Sequence, residues 1–407
     1  MTSETAAAIS LLSADAVRTR AHTLLALGVD GRLPHFRVDL GRLDKVADRV
    51  IVVTKEAYPS LDVPFHSRWR HFVHKSDDRF AALPKQADAA AQARAEFDLA
   101  IVSVFLDAGA GAQWRYTDPK SGEAIGRSEG LALASLDMVA AGAFSNDAKD
   151  PLRVDAARLA RLTAEDIARG FQVSDANPLV GLEGRAALLR RLGELALSKA
   201  DVFASRDSAR PGGLFDHLVA KHGTALTAPD ILAALLRELG PIWPSRLSLG
   251  GVPLGDCWRH SMLVTDDATT GLVPLHKLSQ WLSYSLIEPL QRAGIAVTNI
   301  DGFTGLAEYR NGGLFVDAGV LEPHEPLRLL DAHDVSSELV VEWRSLTVAL
   351  LDKLAGVIRG RLGMTAETLP LARILEGGTW AAGRAIAREK RADGSPPIAV
   401  ISDGTVF

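Results

Sequence analysis

Apolar residues recur at helical spacing along most of the chain. The segment "SADAVRTRAHTLLALG" begins with a Ser-Ala-Asp entry, carries apolar residues three and four positions apart, and ends on a glycine. The segment from about Lys85 to Leu106 is polar and alanine-rich first and strongly apolar later, which predicts a helix that begins in solvent and ends deep in the protein. The same spacing predicts further helices in "LDKVADRVIVVTKEAY", "GRSEGLALASLDMVAAGAF", "DAARLARLTAEDIARGF", "LEGRAALLRRLGELALSK", "TAPDILAALLRELG", "LVPLHKLSQWLSYSLIEPLQRAG" and "SSELVVEWRSLTVALLDKLAGVIRGRLG".

Strand patterns are few and short. They are limited to "IAVTNI", "GLFVDAG" and the C-terminal "PIAVISDGTVF". The pattern therefore predicts a mainly α fold, a large helical protein with a few short strands. The polar segment "SKADVFASRDSARPGG" (residues 198–213) is the best candidate for a connection between two parts of the chain. We expect an N-terminal helical subdomain at 1–200, a C-terminal helical subdomain with short strands at 214–407, and a pocket between them.

Composition narrows the class of protein. The 407 residues have 47% apolar and 23% charged side chains and a formal net charge of −5, so they lack the basic excess of a nucleic-acid binder. A single cysteine, Cys257, excludes an intrachain disulfide and a thiolate-rich metal site. The first residues do not form a secretory signal, and no apolar run approaches the ~18 residues of a membrane span. We therefore expect a cytoplasmic protein that does not bind membranes.

The segment "SLDVPFHSRWRHF" (residues 60–72) concentrates ionic and aromatic side chains after two prolines. An arginine fork suits phosphate or carboxylate, and a neighbouring aromatic ring can hold it in place. A solvated turn anchored by its aromatic rings is an equally good interpretation. No metal-binding pattern accompanies the histidines of this region, so a metal site is not predicted. The candidate binding residues here are His66, Arg68, Trp69 and Arg70.

An acidic residue follows the apolar helix in "VSVFLDAGAGAQWRY" (residues 102–116). Asp107 would lie at the negative end of the helix dipole, and burial without a partner would cost much more. This favours an outside partner, either Arg115 or a substrate, and adds Trp114 as a candidate binding residue. The alternative is an exposed terminal residue followed by a glycine cap.

One face of the predicted helix in "HKLSQWLSYSLIEPL" combines ionic and aromatic residues. They fall at positions i, i+4, i+7 and i+11, which share a helix face. Such a face suits a pocket wall for a base-like or sugar ligand, although a face half in solvent explains it equally well. The residues are Lys277, Trp281, Tyr284 and Glu288.

The segment "GFTGLAEYRNGGLFVD" (residues 302–317) sets a carboxylate, a phenol and a guanidinium side by side. If "IAVTNI" is a strand, Asp301, Glu308 and Arg310 project from the turn after it, and "GLFVDAG" forms another strand. Paired carboxylates and a guanidinium suit the cleavage of a glycosidic bond, because that reaction builds positive charge on the sugar and needs an activated water. A buried structural Glu–Arg pair fits the same residues.

Together, "LDVPFHSRWRHF", "FLDAGAGAQWRY", "LVPLHKLSQWLSYSLIEPL" and "GLAEYRNGGLFVD" resemble the uracil-catabolism protein family over nearly the whole chain. This family is the fourth component of the fungal and bacterial reductase-independent pyrimidine pathway. The resemblance implies release of urea from a ribosylurea-type compound by cleavage of its N-glycosidic bond.

"TGLAEYRNGG" is also similar to a segment of the queuosine-nucleotide N-glycosylases, which are mainly helical and related to helix-hairpin-helix DNA glycosylases. This similarity implies a DNA-glycosylase-like helical architecture. It places Glu308 at the position of their catalytic aspartate, with Tyr309 and Arg310 beside it. The chain departs from that segment in having Glu for Asp, and "NGG" where the glycosylases have "VPQ".

The first hypothesis is therefore an N-glycoside hydrolase without metal or cofactor, acting on a small nucleoside- or nucleotide-derived substrate. Glu308 or Asp107 would activate water or stabilise the sugar cation, and Asp301 would orient the ribose. A second hypothesis is a non-catalytic sensor of a uracil-derived metabolite. An amidohydrolase is disfavoured, since no nucleophile or histidine-rich motif supports it. The residues expected to bind substrate are Arg310, Tyr309, Arg68, Arg70, His66, Trp69, Trp114, Lys277, Trp281 and Tyr284.

Overall fold

Helices form most of the regular structure. The computed structural model describes residues 2–205, 208–243, 246–325 and 331–401. Strands in these residues are two or three residues long and occur in two-stranded pairs. The predicted mainly α fold is confirmed. No helix in these ranges is both long enough and apolar enough to cross a bilayer.

The α-helices follow one another along the chain. They are α1 (Ser3–Ser10), α2 (Ala14–Val29), α3 (Leu43–Ala57), α4 (Ala89–Phe105), α5 (Arg127–Ala140), α6 (Ala156–Leu159), α7 (Ala164–Gly170), α8 (Leu182–Ser198), α9 (Ala200–Phe203), α10 (Gly213–His222), α11 (Ala228–Glu238), α12 (Lys277–Arg292), α13 (Tyr309–Asp317), α14 (Glu338–Leu362), α15 (Leu371–Ile374) and α16 (Trp380–Lys390). A π-helical turn joins α15 to α16, at Leu375–Thr379. Short 3₁₀ helices lie at Leu40–Arg42, Arg68–Phe72, Gly240–Ile242 and Ile300–Gly302.

The strands are β1 (Phe36–Val38), β2 (Val73–His74), β3 (Asp77–Asp78), β4 (Tyr116–Thr117), β5 (Ala124–Ile125), β6 (Ala204–Ser205), β7 (Ser208–Ala209), β8 (Ala225–Thr227), β9 (Ser248–Leu249), β10 (Val252–Pro253), β11 (Cys257–Arg259), β12 (Leu272–Pro274), β13 (Ala296–Thr298), β14 (Leu321–Pro323), β15 (Ala332–Asp334) and β16 (Ala399–Ile401). The pairs β8–β13 and β15–β16 are parallel. The pairs β1–β14, β2–β3, β4–β5, β6–β7, β9–β10 and β11–β12 are antiparallel.

The chain forms two compact units, each assembled from separate segments. The first unit contains the described residues of Met1–His66, Ser245–Gln280 and Asn299–Ile401. The second unit contains those of Ser67–Pro244 and Trp281–Thr298. Segments from both predicted subdomains therefore contribute to each unit.

Helix α14 forms the centre of the first unit. It packs against α2, α3 and α13, while α13 also packs against α16. Every residue of α14 from Leu339 to Leu351 is buried, including the charged residues Glu342 and Arg344. Helix α4 has the same role in the second unit, where it packs against α5, α8 and α10. Its buried residues lie in its last three turns, so the predicted helix from solvent into the core is confirmed.

Two of the predicted elements differ from the structure. The segment "DAARLARLTAEDIARGF" divides into α6 and α7 because Thr163 begins a new helix. Its hydroxyl and the Asp166 carboxylate form a reciprocal capping box. The segment "GLFVDAG" was predicted as a strand but forms most of α13. Of the predicted C-terminal strand, β16 is observed and residues 402–407 lie outside the described ranges, as do residues 206 and 207 of the predicted connection.

Candidate functional site

Glu308 forms the N-cap of α13. Its Oε2 accepts the amide of Arg310 at 2.8 Å, and its Oε1 accepts the amide of Asn311 at 2.5 Å. These amides belong to the first helical turn and have no partner within the helix. A carboxylate also complements the positive end of the helix dipole. Glu308 therefore begins the helix and is held in one orientation by both of its oxygens.

Packing explains the two glycines inside α13. A side chain at Gly312 would meet the indole of Trp343 at 2.6 Å, and one at Gly313 would meet Pro397 at 3.0 Å. Each interior glycine costs about 1 kcal/mol of helix propensity. Because α13 packs against α14, tertiary contact outweighs that cost, and the strand prediction for this segment is wrong.

Burial raises the pKa of the Glu308 carboxyl above its ordinary value. Opposing contributions come from the Arg310 and Asn311 amides and then from the electrostatic effects of Lys277 and His66. Desolvation is the largest of these effects, since the side chain is almost completely enclosed. A carboxyl in this environment keeps its proton to higher pH than an exposed glutamic acid.

His66 is held by a carboxylate on the π-helical turn of the same unit. Its Nδ1 lies 2.7 Å from Oε2 of Glu376, and its backbone amide donates to Ala372. A carboxylate only accepts hydrogen bonds, so this contact places the N–H of the neutral ring on Nδ1. The residues did not predict Glu376 as a site residue. The only local signal was the pair of glycines in "LEGGTW", which is unusual inside a helix.

The other predicted residues near Glu308 in sequence make contacts that stabilise the fold. Asp301 accepts the amide of Leu371 and the guanidinium of Arg359, both at 2.6 Å. Arg310 donates to the carbonyl of Gly394 and lies 4.9 Å from the ring centroid of Tyr309. These two contacts of the Arg310 guanidinium are with a backbone oxygen and a neighbouring ring.

Asp107 lies in the second unit and is paired with a buried arginine. Its Oδ1 accepts Nη1 of Arg68 at 2.6 Å and the hydroxyl of Ser128 at 2.5 Å. The expected outside partner therefore exists, but it is Arg68 rather than Arg115. Arg115 is exposed and donates to the carbonyls of Ala112 and Trp114.

A second arginine covers the end of α4 beside Asp107. Arg185 is fully buried and donates to the carbonyls of Leu106, Ala108 and Gly109. Burial lowers the pKa of Arg185 to about 10, with a partly compensating effect of Asp107. The carbonyls that the helix leaves unpaired are thus satisfied by a side chain rather than by water.

Polar residues that the sequence did not single out complete the surroundings of Arg68. Its Nε donates to Ser103 at 2.7 Å, and its Nη1 lies 3.4 Å from Nδ1 of His71. Among the described residues, Nη2 of Arg68 is buried and has no hydrogen-bond partner. Burial lowers the pKa of Arg68, and Asp107 opposes that effect. The cluster is a buried ion pair surrounded by hydroxyl groups.

The remaining predicted residues of the second unit belong to its core or to ion pairs. Trp114 is completely buried and donates its indole N–H to Phe171. Trp69 donates to the carbonyl of Ser285, and Arg70 is paired with Glu288 at 2.6 Å. These contacts explain the side chains without a ligand.

The predicted helix that carries the ionic and aromatic face is confirmed as α12. Lys277 belongs to the first unit, and Trp281, Tyr284 and Glu288 belong to the second. Trp281 and Tyr284 are buried, and the ring of His71 lies 5.6 Å from that of Trp281. Their role in binding substrate stays a prediction.

The chain is similar to proteins of one family over nearly its full length. Residues 10–407 match the family described as "Protein of unknown function (DUF1688)". The chain is 40% identical over 417 residues to Protein urg3 of Schizosaccharomyces pombe, covering 100% of both chains. It is 39% identical over 414 residues to Uracil catabolism protein 4 of Lachancea kluyveri, covering 93% of both chains.

Proposed function

The chain belongs to the family described as "Protein of unknown function (DUF1688)", and from this membership we infer that it is an N-glycoside hydrolase of uracil catabolism. The name of the Lachancea kluyveri relative supports the pathway. The substrate is ribosylurea or its 5-phosphate, and the products are urea and ribose or ribose 5-phosphate. The reaction takes place in the cytoplasm.

The observation that carries this proposal is the buried position of Glu308 at the N-terminus of α13, where two amides hold its carboxyl group and burial raises its pKa. Urea is a poor leaving group as an anion, so the bond between its nitrogen and C1 of the sugar breaks more easily when a proton reaches the urea unit. A buried carboxyl that keeps its proton to higher pH than an exposed glutamic acid can supply that proton. Once ionised, the same group lies at the positive end of α13 and stabilises positive charge on the sugar.

Asp107 is the rival carboxylate, and its contacts make it less suitable. Its Oδ1 is bound by both Arg68 and Ser128. The buried Arg68 guanidinium needs this carboxylate as its counterion. Asp107 therefore serves to neutralise Arg68, and its removal affects folding before chemistry.

The test is to incubate the purified protein with ribosylurea and with its 5-phosphate and to measure free urea. We expect turnover of one of them, and a kcat lower by roughly 10²- to 10⁴-fold in Glu308→Gln, the usual contribution of a general acid. Asp88→Asn is a matched control, because Asp88 is also a carboxylate N-cap that accepts a backbone amide, on α4. This control should keep wild-type turnover.

Full hydrolysis by Glu308→Gln would contradict the role of Glu308. Saturable binding of either compound without release of urea would contradict the hydrolase and favour the sensor. Release of urea that Asp107→Asn abolishes at unchanged folded fraction would transfer the chemistry to Asp107.

A further inference from the structure

We propose that His66 is the general base that activates water in this reaction and that Glu376 is its positioning residue. This inference rests on the proposed function and adds a second group to the same site. Hydrolysis of a glycosidic bond needs one group that protonates the leaving group and another that takes a proton from the attacking water. Glu308 supplies the first, and the His66–Glu376 pair supplies the second.

The hydrogen bond between His66 and Glu376 determines which ring nitrogen can act as the base. With the N–H on Nδ1 donated to Glu376 over 2.7 Å, the lone pair of the neutral ring is on Nε2. The carboxylate also stabilises the imidazolium that forms when Nε2 takes a proton, as in other carboxylate–histidine pairs. His66 is almost completely buried, so its ring has little freedom to turn away.

The π-helical turn places Glu376 against His66. Its two glycines lie on α3, where a side chain at Gly377 would meet Thr54 at 2.9 Å and one at Gly378 would meet Val50 at 2.5 Å. The turn is thus fixed by a close approach that only glycine permits. Turns of this kind inside helices occur frequently at functional sites, because they change the direction of one side chain without ending the helix.

Packing connects the two proposed groups within the first unit. Helix α13, which Glu308 begins, packs against the π-helical turn, and that turn carries Glu376, the hydrogen-bond partner of His66. The unit therefore holds a carboxyl whose pKa is raised by burial and an imidazole that a second carboxylate orients.

In the hydrolysis of ribosylurea, Glu308 gives up one proton and His66 takes one from water. The bond between C1 and the urea nitrogen breaks, and the proton of Glu308 goes to the urea. Water attacks C1 as Nε2 of His66 takes one of its protons, and the imidazolium is stabilised by Glu376. His66 then loses its proton to solvent and Glu308 regains one, so the protein returns to its initial state with ribose and urea released.

Another buried histidine–carboxylate pair in the first unit provides a matched control. Nε2 of His260 lies 2.9 Å from Glu342, and both side chains are fully buried. The other oxygen of Glu342 accepts the amides of His35 and Phe36. Because this pair holds β1 to α14, Glu342→Gln should lower thermal stability without a specific effect on turnover.

Azide distinguishes a lost base from a damaged fold, because this anion attacks C1 without giving up a proton. The variants are His66→Ala, Glu376→Gln and Glu376→Asp, assayed for urea release with and without sodium azide. We expect kcat to fall by roughly 10²- to 10⁴-fold in His66→Ala and by about tenfold or more in Glu376→Gln, with little change in KM. Azide should raise the rate of both and form ribosyl azide, detected by mass spectrometry, and Glu376→Asp should recover part of the activity.

A normal kcat in Glu376→Gln, or a loss that azide does not restore, would overturn this inference and leave the hydrolase intact. A similar loss with azide rescue in Glu342→Gln would also overturn it, since the effect would not be specific to the proposed pair. Absence of urea release by the wild-type protein would instead overturn the proposed function. The outcomes therefore separate the two proposals.

Discussion

Glu308 and Asp107 are two carboxylates at helix ends that the protein stabilises in opposite ways. Glu308 precedes α13, where two backbone amides bind it and the helix dipole favours its charge. Asp107 follows α4, where the dipole opposes its charge and the Arg68 guanidinium compensates. Backbone amides hold the first carboxylate in place, whereas the second is the counterion of a buried guanidinium that would otherwise be unpaired.

Breaking the Asp107 ion pair should produce the largest change in stability. Asp107→Ala leaves the guanidinium of Arg68 buried without a counterion, which costs about 3–5 kcal/mol of the free energy of unfolding. Urea denaturation of wild type and variant measures the difference. Asp44→Asn is the exposed control, since Asp44 is paired with Arg361 at the surface and such pairs contribute about 0–1 kcal/mol. Equal losses in both variants would show that burial of Arg68 does not matter.

Weakening the arginine that covers the end of α4 should have the next largest effect. Lysine lacks the planar guanidinium fork with which Arg185 donates to three carbonyls. Arg185→Lys therefore leaves buried oxygens without donors. We expect a loss of about 1–3 kcal/mol in the free energy of unfolding, from the same denaturation experiment. Unchanged stability would mean that water satisfies these carbonyls.

Replacing Glu308 should lower the free energy of unfolding by less than the two changes above, and the size of this loss should depend on pH. Gln at position 308 can still accept an amide hydrogen bond, so Glu308→Gln should lose only about 1 kcal/mol, within the range for altered N-caps. The pKa of Glu308 is higher in the folded than in the unfolded chain, so its favourable contribution is complete below its ordinary value of 4.5. This contribution is lost as pH rises through the folded pKa.

The measurement is the difference in unfolding temperature between wild type and Glu308→Gln from pH 4 to pH 8. Wild type should lose stability relative to the variant as pH rises, because glutamine does not ionise. A difference that moves in the opposite direction would contradict the raised pKa of Glu308 and, with it, the role of this residue as a general acid.

The smallest effect is expected at the residue first considered as the partner of Asp107. Arg115 is exposed and bonds to two nearby carbonyls, so Arg115→Ala should change the free energy of unfolding by no more than about 0.5 kcal/mol. Thermal unfolding followed by circular dichroism is sufficient. A loss as large as that of Asp107→Ala would reverse the assignment of the ion pair.

The hydrophobic pattern was enough to predict the long helices, because most of them bury one broad face or are buried throughout. It did not predict α13, where Gly312 and Gly313 have low helix propensity and are favoured only by contacts with Trp343 and Pro397. Those contacts join segments distant in sequence. The division between α6 and α7 was visible in "TAED", a capping sequence inside an apparently continuous apolar pattern.

The sequence drew attention to individual side chains of the candidate site but not to the contacts between them. Glu308 and Asp107 were recognised as unusual carboxylates, and the relationship to uracil-catabolism proteins is confirmed. The partners of these two carboxylates were not predicted, because an ion pair can join any two positions that folding brings together. Glu376 is 310 residues from His66 in the chain, and nothing local to either residue connects them.

The π-helical turn also has a consequence for how the chain tolerates insertions and deletions. Residues of an α-helix follow one another at about 100° around its axis, since a turn contains 3.6 residues. Loss of one residue from Leu375–Thr379 would return the segment to regular α-helix and rotate α16 relative to α15 by about that angle. Gly383, which meets the carbonyl of Arg310, would then no longer face α13. We therefore expect the length of this turn to be constrained as strictly as its two glycines.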